Sequence, residues 1–245
     1  MMRLLCSFLT CLSLFSSAAV FAQENLSSGI SFYVLRVVYN ETDKQGVSLT
    51  AHNNSTSPYL VQSWIRPVDL ETGNVNLDWQ GTPIMPFIVT PPLSRLEDKG
   101  ELTLRIRRND VPLPQDRESV FFISMKALPV KQNTNSSQMV MTVVTNMKLF
   151  YRPVGLVKRA VADIAGQLTF YREGKQLIAS NPTPYWLTFS HLSVGGVALD
   201  NSALRVMVPP FSKQAYTLPA SARGKVTWQL IDEDGWNTLE QQQAL

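Results

Sequence analysis

Residues 138–153, QMVMTVVTNMKLFYRP, restrict the fold of this chain more than any other stretch. The run is rich in apolar and β-branched residues and meets neither Gly nor Pro before Pro153, so it reads as a strand. Its apolar residues fall on both parities, Met139, Met141 and Val143 on one and Val140 and Val144 on the other. A strand with two apolar faces has to be covered on both. One cover is the core of its own domain. The second is more of that domain, a further sheet or domain, or another protein.

The surrounding pattern is all-β. Short apolar segments recur between polar or Gly/Pro turns, and no segment keeps a helical period over three turns. Residues 46–52, 59–65, 102–106 and 119–126 read as strands of a first unit, with the polar stretch 53–58 as a loop between two of them. The connection 131–137 is short, which predicts that the strands on either side of it are antiparallel neighbours. After Pro153 the pattern restarts. Residues 154–163 read as a connector, and 167–171, 175–180, 185–192, 205–208 and 225–232 as a second set of strands. Two sets of about a hundred residues each point to two β-sandwiches, with a single large barrel as the alternative.

The N-terminus reads as a targeting segment. Arg3 precedes an apolar run from 4 to 15, and Val20-Phe21-Ala22 presents small residues where a signal peptidase cuts. Cleavage after Ala22 is expected, leaving a mature chain from Gln23; an uncleaved anchor is the alternative, although the run is short for a membrane span. Loss of this segment removes Cys6 and Cys11, both cysteines of the chain. A mature chain of roughly 220 residues is large enough to be held by its cores alone. It has no thiol nucleophile and no cysteine metal site. Losing Arg3 lowers the formal charge from +3 by one, to +2. The densest basic run, Arg105-Ile106-Arg107-Arg108, fits a solvated strand edge, so nucleic acid is not an expected partner.

Catalytic chemistry is poorly represented. His52 and His191 stand alone, no G-x-S-x-G elbow occurs, and no phosphate-binding glycine pattern is present. Glu97-Asp98 and Asp232-Glu233-Asp234 look like turn carboxylates. No enzyme activity, metal or cofactor is expected, and no direct insertion into a membrane.

At Lys148-Leu149-Phe150-Tyr151-Arg152-Pro153 the chain resembles the periplasmic chaperones of pilus (fimbrial) assembly. The resemblance extends through Arg36-Val37-Val38-Tyr39, the blocks 59–65, 86–93 and 113–121, and Asn181-Pro182-Thr183-Pro184-Tyr185-Trp186. It implies two immunoglobulin-like β-sandwich domains set at an angle with a cleft between them. The boundaries expected are signal peptide 1–22, first domain 23–154, connector 155–163 and second domain 164–245. It also implies a periplasmic location and two partners, pilus subunits and an outer-membrane usher. The short 131–137 loop and the cysteine-free mature chain resemble the short-loop branch of the family. A secreted two-domain binding or adhesion module is the competing function, and a glycan hydrolase a third.

By the same resemblance, Arg36 and Lys148 match the cleft residues that grip the C-terminal carboxylate of a subunit. A planar guanidinium fork and a point-charge ammonium suit that anion. Met139, Met141 and Val143 match the apolar row that enters an incomplete subunit; Met adapts to several clients. Lys148 has the opposite parity, so row and clamp share a face only if the strand twists strongly or bulges between them. Glu118 and Arg152 match an interdomain ion pair with an acid late in the second domain. There the family reads Asn-Asp-Tyr-Gly and this chain Asp232-Glu233-Asp234-Gly235, which makes Glu233 the partner by register, with Asp232 and Asp234 beside it. The Pro91 region is a candidate for a cis bond.

Overall fold

The structure is a computed structural model, and it describes residues 29–130 and 142–245. The first domain holds β1 (Ile30–Ser31), β2 (Arg36–Asn40), β3 (Val47–Asn53), β4 (Tyr59–Pro67), β5 (Phe87–Thr90), β6 (Leu93–Leu96), β7 (Glu101–Arg108), β8 (Ser119–Pro129) and β9 (Val143–Arg152). One helical turn, α1 (Val161–Ile164), lies between the strands of the two domains. The second domain holds β10 (Thr169–Glu173), β11 (Gln176–Asn181), β12 (Phe189–Val194), β13 (Val197–Ala198), β14 (Ser212–Thr217), β15 (Val226–Leu230) and β16 (Gln241–Gln243).

Each domain is a sandwich of two sheets, ordered β1-β3-β7-β5 over β2-β9-β8-β4-β6, and β10-β11-β14 over β13-β12-β15-β16. The inward positions alternate along the strands, as in Leu102, Leu104 and Ile106 of β7, because successive side chains leave a strand on opposite faces. Leu49, Leu96, Leu104, Ile106, Ile123 and Leu149 are fully buried in the first core, and Leu177, Leu187, Leu192, Val208 and Leu230 in the second. Two separate cores replace the single barrel that the strand count alone allowed. The Thr90–Pro91 bond is cis, as is Thr82–Pro83.

Strands β8 and β9 are antiparallel neighbours, and their register runs without a break from Ala127↔Val143 to Ser119↔Tyr151. The described part of the two-faced strand begins at Val143; Met139, Met141 and the 131–137 loop lie outside the described residues. Its second cover differs along its length. Met147, Leu149 and Tyr151 enter the first core, whereas Phe150 joins Val120 and Met207 in a small cluster between the domains, flanked by Val68 and Trp186. The expected strand at 205–208 is not one. Arg205 ends a 3-10 turn, Val208 makes an isolated bridge to Leu187, and Pro209-Pro210 then remove the donors a ladder needs.

Candidate functional site: the interdomain cleft and the open edge of β9

Strand β2 lies parallel to β9 with Arg36 directly opposite Lys148. Residues opposed in this way share a face, about 4.8 Å apart between backbones. The inward neighbours Val37 and Tyr39 belong to the first core, so Arg36 and Lys148 point away from it, toward the second domain. The sequence placed these residues more than a hundred positions apart; the parallel pairing brings them side by side.

Like charges directly opposed on a sheet are unfavourable. Arg36 is partly compensated. Its Nη1 donates to the Ile231 carbonyl of the second domain at 3.0 Å, and its guanidinium sits 5.4 Å from the centre of the Phe150 ring. Glu118, Glu233 and Asp232 also contribute an attractive field at Arg36, while burial pulls its pKa down. Arg36 Nε is buried and has no hydrogen-bond partner among the described residues. Lys148 has less. Among the described residues no carboxylate lies within ion-pair distance of it. Burial, and then the Arg36 charge, push its pKa down to about 8. Among the described residues it is a half-buried cation with no anion of its own.

Beside this pair lies a closed ion network. Arg152 Nε donates to Glu118 Oε1 at 2.7 Å, and Arg152 Nη2 lies 2.7 Å from Glu233 Oε1. Nη1 donates to the carbonyls of Val157 and Lys158, and the guanidinium stacks 4.8 Å above the Tyr185 ring. Glu118 Oε2 accepts the Trp186 amide at 2.8 Å, and the Trp186 indole donates to the Glu118 carbonyl. Glu233 Oε1 accepts the amides of Ala160 and Val161 as well. The packing leaves a void of only about 10 Å³ among Arg36, Glu118, Phe150, Arg152, Trp186 and Glu233. Burial raises the Glu118 carboxyl to about 6 against the pull of Arg152. Glu233 is held below its ordinary value by the Ala160 amide and Arg152, which outweigh its burial. Asp234 pairs instead with Arg159 on the surface, and Asp232 closes its own hairpin turn through the Asp234 and Trp236 amides.

Trp186 is the member that sequence reading did not assign. It stands in the block Asn181–Trp186, whose Asn181 side chain donates to the Tyr185 and Pro209 carbonyls and accepts from Thr183. That buried turn aims Trp186 at Glu118. The block was visible in the sequence, but its target lies 68 residues away and only the fold supplies it.

Along the rest of β9 the edge is open. Strand β2 covers only Lys148 to Arg152, and the chain before it crosses to the opposite sheet, where β1 pairs with β3. Among the described residues nothing pairs with the β2-side edge of β9 from Val143 to Met147. Because the register has no bulge, Val143 shares the face of Met147 and Leu149, and Lys148 takes the other. Val143 and the basic pair therefore lie on opposite faces of one strand. Val143 is 60 % exposed and, with Ile30, Phe32, Val61, Met125 and Thr145, lines a cavity of about 540 Å³ that opens between the two sheets of the first domain.

A pair of immunoglobulin-like sandwiches joined across a charged cleft, with the edge of one long strand open from Val143 to Met147 among the described residues, defines a two-domain immunoglobulin-like protein. The family models agree. Residues 29–157 match the pili and flagellar-assembly chaperone, PapD N-terminal domain, and residues 163–242 match the pili assembly chaperone PapD, C-terminal domain. The chain is 35 % identical to the Escherichia coli chaperone protein FocC over 212 residues, 85 % of this chain and 86 % of that protein. It is 34 % identical to the Escherichia coli chaperone protein FimC over 211 residues, covering 85 % and 81 %. Among solved structures, a chain of the Salmonella enterica SafA pilin–SafB chaperone complex superposes with a TM-score of 0.74 at 27 % identity, covering 89 % of this chain and 96 % of that one. The Escherichia coli chaperone DraB gives 0.73 at 34 %, covering 89 % and 98 %. This chain belongs to the family of periplasmic PapD-like chaperones of pilus assembly. It is a chaperone of fimbrium biogenesis, not an enzyme.

Proposed function

We propose that this chaperone captures pilus subunits by pairing the open edge of β9 with them and by holding their C-terminal carboxylate between Arg36 and Lys148, and that it then delivers them to an outer-membrane usher. The observation that carries the reading is Lys148, a half-buried ammonium opposed by Arg36 and with no carboxylate in ion-pair distance among the described residues. A free C-terminus supplies that anion at one defined point. From there a subunit strand continues beside β9 from Met147 toward Val143 and beyond, where the apolar row of Met139, Met141 and Val143 enters the subunit's groove. Strand addition of this kind gives affinity through the main chain and specificity through alternate side chains, and pilin complementation by a chaperone is itself a known instance. A subunit lacking a strand exposes just such a groove and unpaired backbone groups. The solved relative in complex with SafA pilin supports a pilin as the client class.

Around this core we place the first domain at 23–154, the connector at 155–163 and the second domain at 164–245, after removal of a signal peptide ending at Ala22. Sequencing the N-terminus of the exported protein reads that cut directly. The capture model is tested with a peptide copied from a subunit's C-terminal strand, with a free or an amidated C-terminus. The free peptide binds; the amidated peptide, the Lys148→Ala chaperone and the Arg36→Ala chaperone each lose about 2–5 kcal/mol of binding. Equal affinity for both peptides removes the clamp from the mechanism.

A further inference from the structure

The two domains also meet away from the ion network. The hairpin tip that follows β4 is tightly built: Asp69 accepts the amides of Glu71 and Thr72, its own amide donates to the Asn74 carbonyl, and Gly73 donates to the Asp69 carbonyl. Gly73 has φ +68, and its Cα faces the backbone of the second domain. A Cβ there would lie 2.1 Å from the Arg205 carbonyl oxygen and 2.7 Å from the Val206 nitrogen. Those are backbone atoms, held by the Ala203–Arg205 turn, and cannot swing aside as a side chain does. The interdomain cluster of Val120, Phe150 and Met207 lies alongside, with Val68 leading into the hairpin and Met207 following the turn.

On the other side of the sheet the contact is soft. Gly235 (φ +91) of the second domain faces the Leu35 side chain, whose Cδ1 would be 2.8 Å from an added Cβ and can rotate away. The strand order β2-β9-β8-β4 puts Leu35 and Arg36 at one side of the interface and the β4 hairpin at the other, with Arg152 between.

We infer that Gly73, seated on the Arg205 carbonyl, is the rigid stop that sets how far the two domains close, and so positions the Ile231 carbonyl over Arg36. It is a positioning residue; it touches no client. A side chain at 73 forces the second domain to tilt about the Arg152 network, which shifts the Ile231 carbonyl from its 3.0 Å seat on Arg36 and reshapes the cleft. The link to capture rests on the carboxylate-clamp reading above, whereas the geometric effect does not.

The test compares Gly73→Ala, Gly73→Asn and Gly174→Ala in the full mature chaperone. Gly174 has φ +58 with nothing within 4 Å of an added Cβ, so Gly174→Ala carries the same backbone strain without a clash. Asn tolerates positive φ better than Ala and so relieves strain at 73 while keeping the clash. Interdomain orientation is read from residual dipolar couplings and solution scattering, and capture from affinity for the free-carboxylate peptide. Both 73 variants are expected to reorient the domains and to weaken peptide binding several-fold, while Gly174→Ala loses stability only. Orientation unchanged in Gly73→Asn overturns the stop. Should Gly73→Asn fail to fold, replacing residues 70–73 with a shorter turn is to broaden the range of orientations; an unchanged distribution overturns the inference equally. A reoriented cleft that still binds the peptide with native affinity leaves the stop standing and sinks its link to capture.

Discussion

At the scale of single residues, Lys148 is the most exposed to test. Burial and Arg36 lower its pKa to about 8, so the ammonium is charged at neutral pH and loses its proton just above it. For the free chaperone the sign is plain. The folded pKa lies below the unfolded value, the unfolded state binds more protons between about 8 and 10.5, and Lys148's contribution to stability therefore rises with pH across that window. Peptide capture moves the other way, because a carboxylate favours the charged lysine and must recruit a proton once pH exceeds 8. Affinity for the free-carboxylate peptide is expected to fall between pH 7 and 9, approaching about tenfold per unit at the upper end. Lys148→Arg, whose guanidinium stays charged, should flatten the profile. A wild-type profile as flat as the arginine variant's argues against Lys148 as the carboxylate ligand.

At the scale of the element, β9 divides its labour by position and by face. Its second half is buried on both sides, by the first core and by the interdomain contacts of Phe150 and Arg152. Its first half carries exposed Val143 and Val144 along an edge that no described strand covers. An open edge of this kind invites pairing with another chain, which soluble proteins ordinarily suppress. Val143→Glu is expected to change folding stability by no more than about 0.5 kcal/mol, as at other exposed sites, yet to abolish capture by driving a charge into the client's groove. Met141→Glu, of the same parity, is expected to act alike. Circular dichroism with client pull-down separates the outcomes: a variant that unfolds assigns the row to the chaperone's own core, and one that still captures removes it from the interface.

At the scale of the molecule, two domains are held in one orientation by a few contacts rather than a broad apolar interface. Arg152 is the centre of these, bonded to Glu118 of its own domain, to Glu233 of the other, and to two connector carbonyls. Arg152→Ala leaves Glu118 buried and uncompensated, at a cost of about 3–5 kcal/mol for breaking a buried pair. Glu118, already raised to about 6, then titrates higher still, since its main attractive partner is gone. The variant is expected to melt at lower temperature and to scatter as a broader distribution of interdomain angles, each sandwich retaining its strands. Unchanged melting and scattering would reduce the network to incidental charges.

How much of this was legible in the chain depends on the range of the interaction. The two-faced run at 138–153 required a second cover, and the restart of the strand pattern after Pro153 marked the second domain, because apolar alternation and turn chemistry act between near neighbours in sequence. The opposite parities of Val143 and Lys148 were countable as well. Whether a bulge reconciled them was not; the unbroken β8–β9 register decides it, and that register depends on the pairing partner. Composition could not choose Glu233 over Asp232 and Asp234 as the partner of Arg152. The turn geometry turns Asp232 back on its own hairpin and sends Asp234 to Arg159, leaving Glu233 facing the interface. The residues 205–208 looked like a strand by local pattern and lost that form to a 3-10 turn and the prolines after it. The approach of Gly73 to Arg205 had no local signal at all, since a glycine in a surface turn reads the same whether or not another domain presses on it. Sequence by itself determined most of the strands and the two-part organisation, and its resemblance to a family named the candidate residues; tertiary structure alone decided which of them meet, because charge pairing and steric contact act through distances in space that chain separation does not encode.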